Sequence, residues 1–491
     1  MTDLSHHSSP HLPIAASPRR SSSASPRRRV AASLASIVSL VSVEGLLIFW
    51  FIASPVASFY LRFPLDKSLV TFNRGVIALA VFLVIAKAWT QPAQAGLKSR
   101  TVFTATKFEI AWAAVAAIAL VNATFLANDF TYALRLAVDT FGLPLLVFHL
   151  ARYHFDARGR SGALLLAAAA LAWCLFATGA YEFLTGTNLF PYKGSELVRE
   201  GERRVNGPFA ADSSFAIICL FVFVLLQAAP ALFRLRMDRA ARFFTTGALI
   251  AAAAAVLLPM FRSAAIALVA CWLIVRVAAK RIAASPHRPI APSPHRRVFS
   301  RRVAVSPRRS FRISASVIAL MMLAVIGIAA VGLLSSNKRL TNPRNVIGRL
   351  ATWESAAAIT ADHPLFGVGL SNYQWAFDQR YFWSDQEADE LLETAAADSP
   401  HSNLLWVAAE MGVFAFLFYV VANAYLLLLG WRAWRRATTR SAKVAAAAFI
   451  ALFVAYWLPG LTLASGYYSD TNLYFFFLVG LLSNESLVSG S

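Results

Sequence analysis

Apolar runs of about 20 residues recur along almost the whole chain, and they constrain the fold more than any other feature of the sequence. A run of this length can cross the roughly 30 Å hydrocarbon core of a bilayer as one α-helix. A helix in lipid satisfies its own backbone hydrogen bonds, so a chain of many such runs forms a bundle of spanning helices. The sequence therefore predicts an all-α, polytopic transmembrane helical bundle.

We predict about twelve spans, separated by loops that carry most of the charged residues. The predicted spans are 34–60, 72–89, 108–126, 133–150, 162–183, 209–229, 244–260, 262–279, 313–334, 403–430, 444–463 and 470–482. They form an N-terminal group of helices over 34–279 and a C-terminal group over 313–482. The first run continues to about Tyr60 without a cleavage site of the signal-peptide type, so we expect it to stay in the membrane.

The formal net charge of +21 reports membrane orientation, because the basic residues cluster between spans rather than on one soluble face. Cytoplasmic loops are enriched in Lys and Arg, which predicts that both termini are cytoplasmic. The basic, Pro-punctuated segments 1–33 and 280–312 are then a disordered tail and a disordered loop beside the anionic inner leaflet, and no nucleic-acid partner is expected. The outer face carries two sizeable loops, 184–208 and 335–402, and a tight turn at 259–262.

The cysteines and the acidic residues give no sign of a disulfide or a metal site. Cys174, Cys219 and Cys271 lie far apart inside apolar runs, where small packing residues are typical. The acidic stretch that follows Arg380 lacks the ligand spacing of a known metal-binding loop. We interpret it as a solvated acidic helix.

Histidine positions narrow the search for a functional site, since only His363 and His401 face outward in this topology. His363 precedes Pro364 and is expected to end a helix that begins near residue 346. Before the tenth span, Ser399 can act as N-cap and Pro400 as first helical residue, which would place His401 in the first turn. The helix dipole there favours a neutral imidazole that can accept a proton. A helix-start residue that hydrogen-bonds a loop carbonyl is the alternative.

Four of the arginines on the predicted outer face are candidate ligands. Arg203 and Arg204 precede the sixth span, Arg262 sits in the turn between two apolar runs, and Arg349 is four residues before Trp353 on a predicted interfacial helix, so those two share one face. Each arginine alone is typical of a lipid-headgroup anchor. Several that converge would form a site for a pyrophosphate or a similar dianion, because guanidinium groups bind phosphate oxygens bidentately.

Glu410 lies inside the tenth span, where a carboxylate is costly and usually faces a cavity or a partner. Asp139 and Glu44 also lie in apolar runs, but they indicate a cavity or a partner more weakly than Glu410 does. The alternative for all three is burial as a hydrogen-bonded acid within the bundle.

The arrangement of these residues resembles the O-antigen ligase and O-antigen polymerase superfamily of bacterial inner-membrane, GT-C-type glycosyltransferases. The resemblance rests on R-x3-W, HPLFGVG-x-x-N and H-S-x9-G in the second half of the chain, and on R-x-x-GPF and Phe-Arg-Ser before it. The matching positions are Arg349, Trp353, His363–Gly369, Asn372, His401, Ser402, Gly412, Arg204–Phe209 and Arg262.

This resemblance implies transfer of a glycan from a polyprenyl-pyrophosphate donor to an acceptor hydroxyl at the periplasmic face, without nucleotide sugar, cofactor or metal. It implies His401 as the base, Arg203 or Arg204 with Arg262 as pyrophosphate ligands, and Arg349 in support. Further supporting positions are Trp353, Asn372, Ser402 and Glu410.

The identity of the acceptor stays open at the level of the sequence. A ligase uses lipid A-core, whereas a polymerase uses a second lipid-linked glycan unit of O-antigen or exopolysaccharide. Ser402 stands where the family commonly has Asn, and Ala415 where ligases often have a polar residue or Gly. A secondary transporter, which can also have twelve spans, is the alternative from another class. It would more naturally show Gly- or Pro-broken repeats with charges near the midplane.

Overall fold

A computed structural model describes residues 42–60, 71–90, 106–191, 198–199, 202–203, 205–233, 237–283, 344–378 and 399–484. The α-helices of this part of the chain are α1 (Val43–Tyr60), α2 (Phe72–Thr90), α3 (Lys107–Phe125), α4 (Phe130–Ala137), α5 (Leu143–Tyr153), α6 (Ser161–Thr185), α7 (Asp212–Leu232), α8 (Arg239–Leu257), α9 (Arg262–Ala283), α10 (Arg344–Asp362), α11 (Tyr373–Ala376), α12 (Asn403–Arg436), α13 (Arg440–Gly460) and α14 (Ser469–Leu482). A π-helical turn, Val138–Gly142, joins α4 to α5, and a 3-10 turn, Ser465–Tyr467, precedes α14.

Within the described residues, ten helical segments are long and apolar enough to cross a membrane, with α4, the π-helical turn and α5 counted as one. Helix α14 is apolar but shorter. The predicted polytopic helical fold is therefore confirmed. One small addition is a two-residue antiparallel ladder between β1 (Val198–Arg199) and β2 (Glu202–Arg203). The predicted span 313–334, the basic segments 1–33 and 280–312 and the acidic stretch after Arg380 lie outside the described residues.

Helices α7 and α14 form the centre of the bundle. All residues of α7 from 213 to 226 and of α14 from 471 to 482 are buried. A helix that is apolar on every face suits the bilayer as well as a protein interior, and here other helices surround both. Stacked and tilted rings fill the centre: Phe475 of α14 lies 4.3 Å from Tyr456 of α13 and 5.9 Å from Phe221 of α7, between ring centroids.

The connecting loops gather at two ends of the bundle, because helices joined by short loops run antiparallel. At one end, called the site end below, Asn372 Nδ2 donates to Leu126 O over 3.0 Å and Asn403 Nδ2 donates to Ser465 Oγ over 3.2 Å. The opposite end, called the basic end, includes Arg435 and Arg436 in the last turn of α12. The predicted motif residues that the structure describes belong to the site end.

The turn between α8 and α9 also belongs to the site end. Leu258, directly after α8, packs with Phe215 of α7 around Gly179 in α6. Ser214, which precedes Phe215, accepts a hydrogen bond from Thr471 Oγ1 at the start of α14 over 3.3 Å. The predicted spans 244–260 and 262–279 are two separate helices in the structure, as expected.

Candidate active site

The loop of the HPLFGVG motif fills a break in helix α12. Gly412 has φ 77° and ψ −177°, which interrupts the helix after its ninth residue. Val413 N donates to Pro364 O over 2.8 Å instead of to its own helix. The carbonyls that the break releases accept from the loop, because Val368 N donates to Ala409 O and Gly369 N to Glu410 O, each over 3.0 Å. Buried helix carbonyls need such substitute partners.

Two glycines allow the loop and the helix to approach this closely. A Cβ at Gly367 would lie 2.3 Å from the backbone carbon of Glu410, and a Cβ at Gly412 would lie 2.3 Å from Leu365 O. Both glycines have positive φ, of 69° and 77°. Any larger residue at either position would push the loop and the helix apart.

The break also bends the first part of α12 back towards α13. Trp457 Nε1 in α13 donates to Asn423 Oδ1 over 3.1 Å, while the Asn403 side chain lies against Gly460, one turn further along α13. In a straight helix, Asn403 and Asn423 would be about 30 Å apart along the axis. Since both reach the last turn of α13, the start of α12 is folded back to that level.

Glu410 connects the broken helix to the loop through its carboxylate, which is 2 % exposed. It accepts from Trp406 Nε1 over 2.7 Å, from Ser371 N over 2.9 Å and from Tyr373 N over 3.2 Å. The Tyr373 hydroxyl in turn donates to Thr352 O of α10 over 2.8 Å. Burial, with a smaller contribution from the charge of Glu410, raises the pKa of Tyr373 above its ordinary value, so that hydroxyl stays a donor.

Two asparagine side chains complete the attachment of the loop. Asn122 of α3 donates to Phe366 O over 2.7 Å and to Glu410 O over 3.2 Å, and its Oδ1 accepts from Leu370 N. Asn372 donates to Leu126 O over 3.0 Å and to Val368 O over 2.9 Å. Asn372 was predicted from its motif, whereas Asn122 was missed. The available signal was an amide in the middle of an apolar run.

His401 lies directly before the folded-back start of α12. Its side chain is half-buried, and its backbone is in the left-handed region with φ 48°. Ser402, which is buried, is the N-cap residue, and its carbonyl accepts from Trp406 N over 2.9 Å. The prediction that Ser399 caps the helix and that His401 lies in its first turn is wrong, because a positive φ at His401 cannot continue into helical geometry.

The backbone is strained at three non-glycine residues of the described chain, and all three lie in loops of the site end. Met260, Ser371 and His401 have φ values of 54°, 69° and 48°. Met260 precedes Arg262 by two residues, and Ser371 donates its N–H to Glu410. Non-glycine residues in this conformation cost about 1–3 kcal/mol each and cluster at functional sites.

The predicted arginines lie on separate elements. Arg262 is the first residue of α9 and is exposed, and Arg349 is half-buried on α10. Trp353 follows Arg349 by one turn of the same helix, and the prediction of a helix over this stretch, ending at His363, is confirmed. Arg203 belongs to β2, where only the backbone is described.

Helix α10, which carries Arg349, packs against the folded-back part of α12. Their contact contains a buried cluster of Ala356, Ile359, Tyr373, Ala376, Phe377 and Ala409. Arg349 therefore belongs to the same packing unit as the loop, whereas Arg262 belongs to a different turn of the site end. Arg204 lies outside the described residues.

Glu182 holds the segment that follows Arg204, a role that sequence reasoning missed. Its carboxylate is 1 % exposed at the end of α6. It accepts from Gly207 N over 2.8 Å, from Asn206 N over 3.1 Å and from Leu189 N over 3.3 Å. The start of the GPF element is thus fixed by a buried carboxylate that belongs to another helix.

The predicted site residues fall into two groups: side chains that hold the loop in place, and side chains whose chemistry suits proton transfer or phosphate binding. Glu410 and Asn372 are engaged by several hydrogen bonds each, so they organise the loop rather than react. An imidazole such as that of His401 exchanges a proton near neutral pH. Guanidinium groups such as those of Arg262 and Arg349 stay charged and suit phosphate oxygens.

No curated protein sequence matches the chain at a significant level. A family model does match residues 247–420, which run from α8 to the middle of α12 and contain Arg262, Arg349, the HPLFGVG loop and His401. The matched stretch excludes the R-x-x-GPF element, α13 and α14. The matching model is that of the O-antigen ligase family, Wzy_C, which confirms the resemblance to the O-antigen ligase superfamily over this part of the chain.

Proposed function

We propose that the protein transfers a glycan from a polyprenyl-pyrophosphate donor to an acceptor hydroxyl at the periplasmic face of the bacterial inner membrane, as an O-antigen ligase with lipid A-core as acceptor. The observation that carries the proposal is the position of His401. It stands in a strained turn directly before a buried helix start, within the stretch that matches the O-antigen ligase family.

In the proposed reaction, the His401 imidazole takes the proton of the acceptor hydroxyl while the oxygen attacks the anomeric carbon of the donor glycan. A glycosidic C–O bond forms, and the C–O bond to the pyrophosphate breaks. The bonding electrons leave with the polyprenyl pyrophosphate, and the proton passes from His401 to the leaving group or to water.

Arg262, with Arg203 or Arg204, would stabilise the charge that develops on the leaving pyrophosphate. Arg349 would support them from α10. This role explains why positive charge is present at the site end, although the basic residues of the sequence cluster mainly elsewhere. Pyrophosphate is a good leaving group, so one base and a cationic pocket are sufficient chemistry for transfer.

Polymerisation of O-antigen or exopolysaccharide repeats is the second candidate, because Ser402 and Ala415 depart from the residues common in ligases. The two activities leave different glycans in a deletion strain. Loss of a ligase leaves undecorated lipid A-core together with intact lipid-linked polymer. Loss of a polymerase leaves lipid A-core capped with a single repeat.

The base role is tested by His401→Ala in purified protein supplied with lipid-linked donor and acceptor. We expect transfer to fall at least about a hundredfold, the usual contribution of a general base, with unchanged membrane insertion. His363→Ala is the matched control, because His363 is exposed at the same end of the bundle and should retain transfer. Wild-type turnover by His401→Ala would exclude His401 as the base.

Substrate uptake by vesicles that contain the protein, without any glycan transfer, would indicate a transporter instead of a glycosyltransferase.

A further inference from the structure

The central helix α14 is too short to reach the site end of the bundle. Its 14 residues span about 21 Å, whereas a hydrocarbon core is about 30 Å thick. Its last turn lies at the basic end, where Asn484 Nδ2 donates to Phe155 O over 2.9 Å just beyond α5. Its first turn lies inside the bundle, because Asn472 Nδ2 donates to Thr140 O over 3.4 Å, ten residues after the start of α4.

The start of α2 lies at a similar depth. Asn73, the second residue of α2, accepts from Ser54 Oγ of α1 over 2.8 Å, and its Nδ2 donates to Asp470 Oδ1 over 3.1 Å. Asp470 is the second residue of α14. Ser54 is six residues before the end of α1, which is about 9 Å of helix. Two helices of the bundle thus begin well below the end of α1, and polar side chains meet where they begin.

An ion pair lies beside these two helix starts. Arg74 Nε donates to Asp139 Oδ1 over 2.7 Å, and Arg74 Nη2 donates to Asp139 Oδ2 over 2.6 Å. The Arg74 side chain is 12 % exposed and that of Asp139 is 21 % exposed. Charged groups at this depth are costly against lipid, so the exposed part of the pair faces water or a ligand within the protein. We call this space the recess, which is bounded by Asn73, Arg74, Asp139, Tyr467 and Asp470.

The π-helical turn that carries Asp139 leaves one buried hydroxyl without a partner beside the recess. Thr140 is 1 % exposed, and its Oγ1 has no hydrogen-bond partner in the described part of the chain. Buried side-chain hydroxyls nearly always have one. Turns of this kind are frequent at functional sites. The turn therefore lacks a polar partner of the kind that a ligand hydroxyl supplies.

The recess adjoins the turn that carries His401. Two residues after Asp139, the ring of Phe141 stacks on Trp406 of α12, with 5.8 Å between the centroids and 10° between the planes. The ring of Tyr467 contacts the same indole edge-on at 5.6 Å. Trp406 is in the first turn of α12, directly after His401 and its N-cap neighbour. Rigid aromatic contacts thus connect both sides of the recess to the segment of the proposed base.

The charges of the recess suit a sugar better than a pyrophosphate. Asp139 and Asp470 bring two carboxylates against the one guanidinium of Arg74, and like charges across an interface disfavour an anion. A carboxylate has about four lone-pair sites, so one that already holds a protein donor can also accept from a sugar hydroxyl. The hydroxyls of Tyr132 and Tyr467, 2.6 Å apart, add further hydrogen-bonding groups at the rim.

Arg262 belongs to another side of the bundle centre. Helix α9, which begins with Arg262, packs mainly on α13, α7 and α8, whereas the recess lies between α2, the π-helical turn and α14. A donor whose pyrophosphate binds Arg262 and a glycan held in the recess would therefore approach the start of α12 from two different sides. Since His401 is proposed to take the proton of the acceptor, the glycan in the recess is that of the acceptor.

We infer that the recess binds the acceptor sugar that carries the attacking hydroxyl, and that Arg74, Asp139 and Asp470 select this sugar through its other hydroxyls. The inference rests on the proposed function and adds where the acceptor glycan is held and by which side chains. The ligand is an uncharged sugar ring. Its attacking hydroxyl lies at His401, and its remaining hydroxyls donate to the two carboxylates.

Asp470→Asn tests the selection of the sugar. The change removes a charge but keeps an oxygen for Asn73, so the contact between α2 and α14 is retained. We expect the KM for lipid A-core to rise about tenfold, because a hydrogen bond to a charged group is lost. The KM for the donor should stay within about twofold of wild type, and the unfolding temperature should not change. Asp362→Asn is the matched control, since Asp362 is exposed at the site end outside the recess.

Ser469→Cys provides a second readout that does not depend on turnover. Ser469 is the first residue of α14 and is half-buried. With the native cysteines replaced by Ala, a small charged thiol reagent should label Ser469→Cys in the purified protein. Bound lipid A-core should slow this labelling about tenfold, as expected for a ligand that covers the site, whereas the polyprenyl-pyrophosphate-linked glycan should not. Asn128→Cys, in the exposed α3–α4 turn, is the control and should be labelled equally fast with either ligand.

Several results would overturn the inference. Slower labelling of Ser469→Cys with the donor alone would assign the recess to the donor glycan. Absence of labelling, or labelling that neither ligand slows, would show that the recess holds no glycan. A KM for the donor that rises together with the KM for lipid A-core would give Asp470 a purely structural role. If lipid A-core protected Ser469→Cys but no transfer occurred, the proposed function would fail while the assignment of the recess stood. Transfer without protection would remove the assignment of the recess alone.

Discussion

A carboxylate within an apolar helix is stable only where donors surround it, and Glu410 meets that condition with three N–H groups. Two of the donors are backbone groups of the loop, at Ser371 and Tyr373, and the third is the indole of Trp406. The carboxylate thus fixes the distance between the loop and the start of α12. His401 directly precedes the N-cap residue of that helix, so its position depends on the same contacts.

Replacement of Glu410 by Gln should loosen this junction. The amide has one acceptor oxygen, and its NH2 group would face an N–H donor, so we expect a loss of about 1–3 kcal/mol of stability. The unfolding temperature in detergent should fall, and transfer activity should fall with it. Glu354→Gln on the exposed face of α10 is the control and should change neither. An unchanged unfolding temperature in Glu410→Gln would show that the three hydrogen bonds do not hold the loop.

The sequence suggests which residues to consider for the candidate site, but it does not predict their backbone conformations. His401 and His363 emerged because they are the histidines that the charge pattern places outside, and Glu410 emerged because a carboxylate in an apolar run is costly. The left-handed backbone of His401 could not be predicted, since few non-glycine residues adopt that conformation. Asn122 was missed because its partners are distant in sequence: Asn122 and Glu410 are 288 residues apart. Glu182 was missed because its partners, Asn206 and Gly207, are brought to it by the path of a loop that the sequence pattern does not predict.

At the scale of elements, the site depends on a helix that is not continuous. The apolar pattern predicts a span from residue 403, and α12 does begin at Asn403. An isolated glycine inside a helical pattern is normally tolerated, so Gly412 alone does not signal a break. The break is stable because the HPLFGVG loop forms hydrogen bonds with the backbone groups of α12 that lose their helical partners. The sequence does not show that the loop lies there.

Gly412→Ala should therefore disrupt the site through the backbone. The conformation at φ 77° and ψ −177° is essentially restricted to glycine and costs other residues about 1–3 kcal/mol, before the overlap of the new Cβ with Leu365 O is counted. We expect lower stability in detergent and loss of transfer. Gly162→Ala near the start of α6 is the control, because a Cβ there meets nothing within 4 Å. Should Gly412→Ala retain wild-type stability and transfer, the loop would not need the broken helix.

At the scale of the whole molecule, the two ends of the bundle differ in the chemistry they present. The basic end has Arg435 and Arg436 in the last turn of α12, and Arg239 and Arg242 in the first turn of α8. The site end has the strained loops and the family motifs. Loops rich in Lys and Arg remain in the cytoplasm, so the site end is expected to face the periplasm, where lipid-linked glycans would be used.

This orientation can be measured with single cysteines in a background where Cys174, Cys219 and Cys271 are replaced by Ala. Asn128→Cys lies in the exposed α3–α4 turn of the site end, and Thr438→Cys lies in the exposed α12–α13 turn of the basic end. A membrane-impermeant maleimide applied to intact spheroplasts should label Asn128→Cys, and should label Thr438→Cys only after the membrane is permeabilised. The reverse pattern would place His401 in the cytoplasm. A periplasmic transfer reaction would then be impossible, because the acceptor hydroxyl and the proposed base would lie on opposite sides of the membrane.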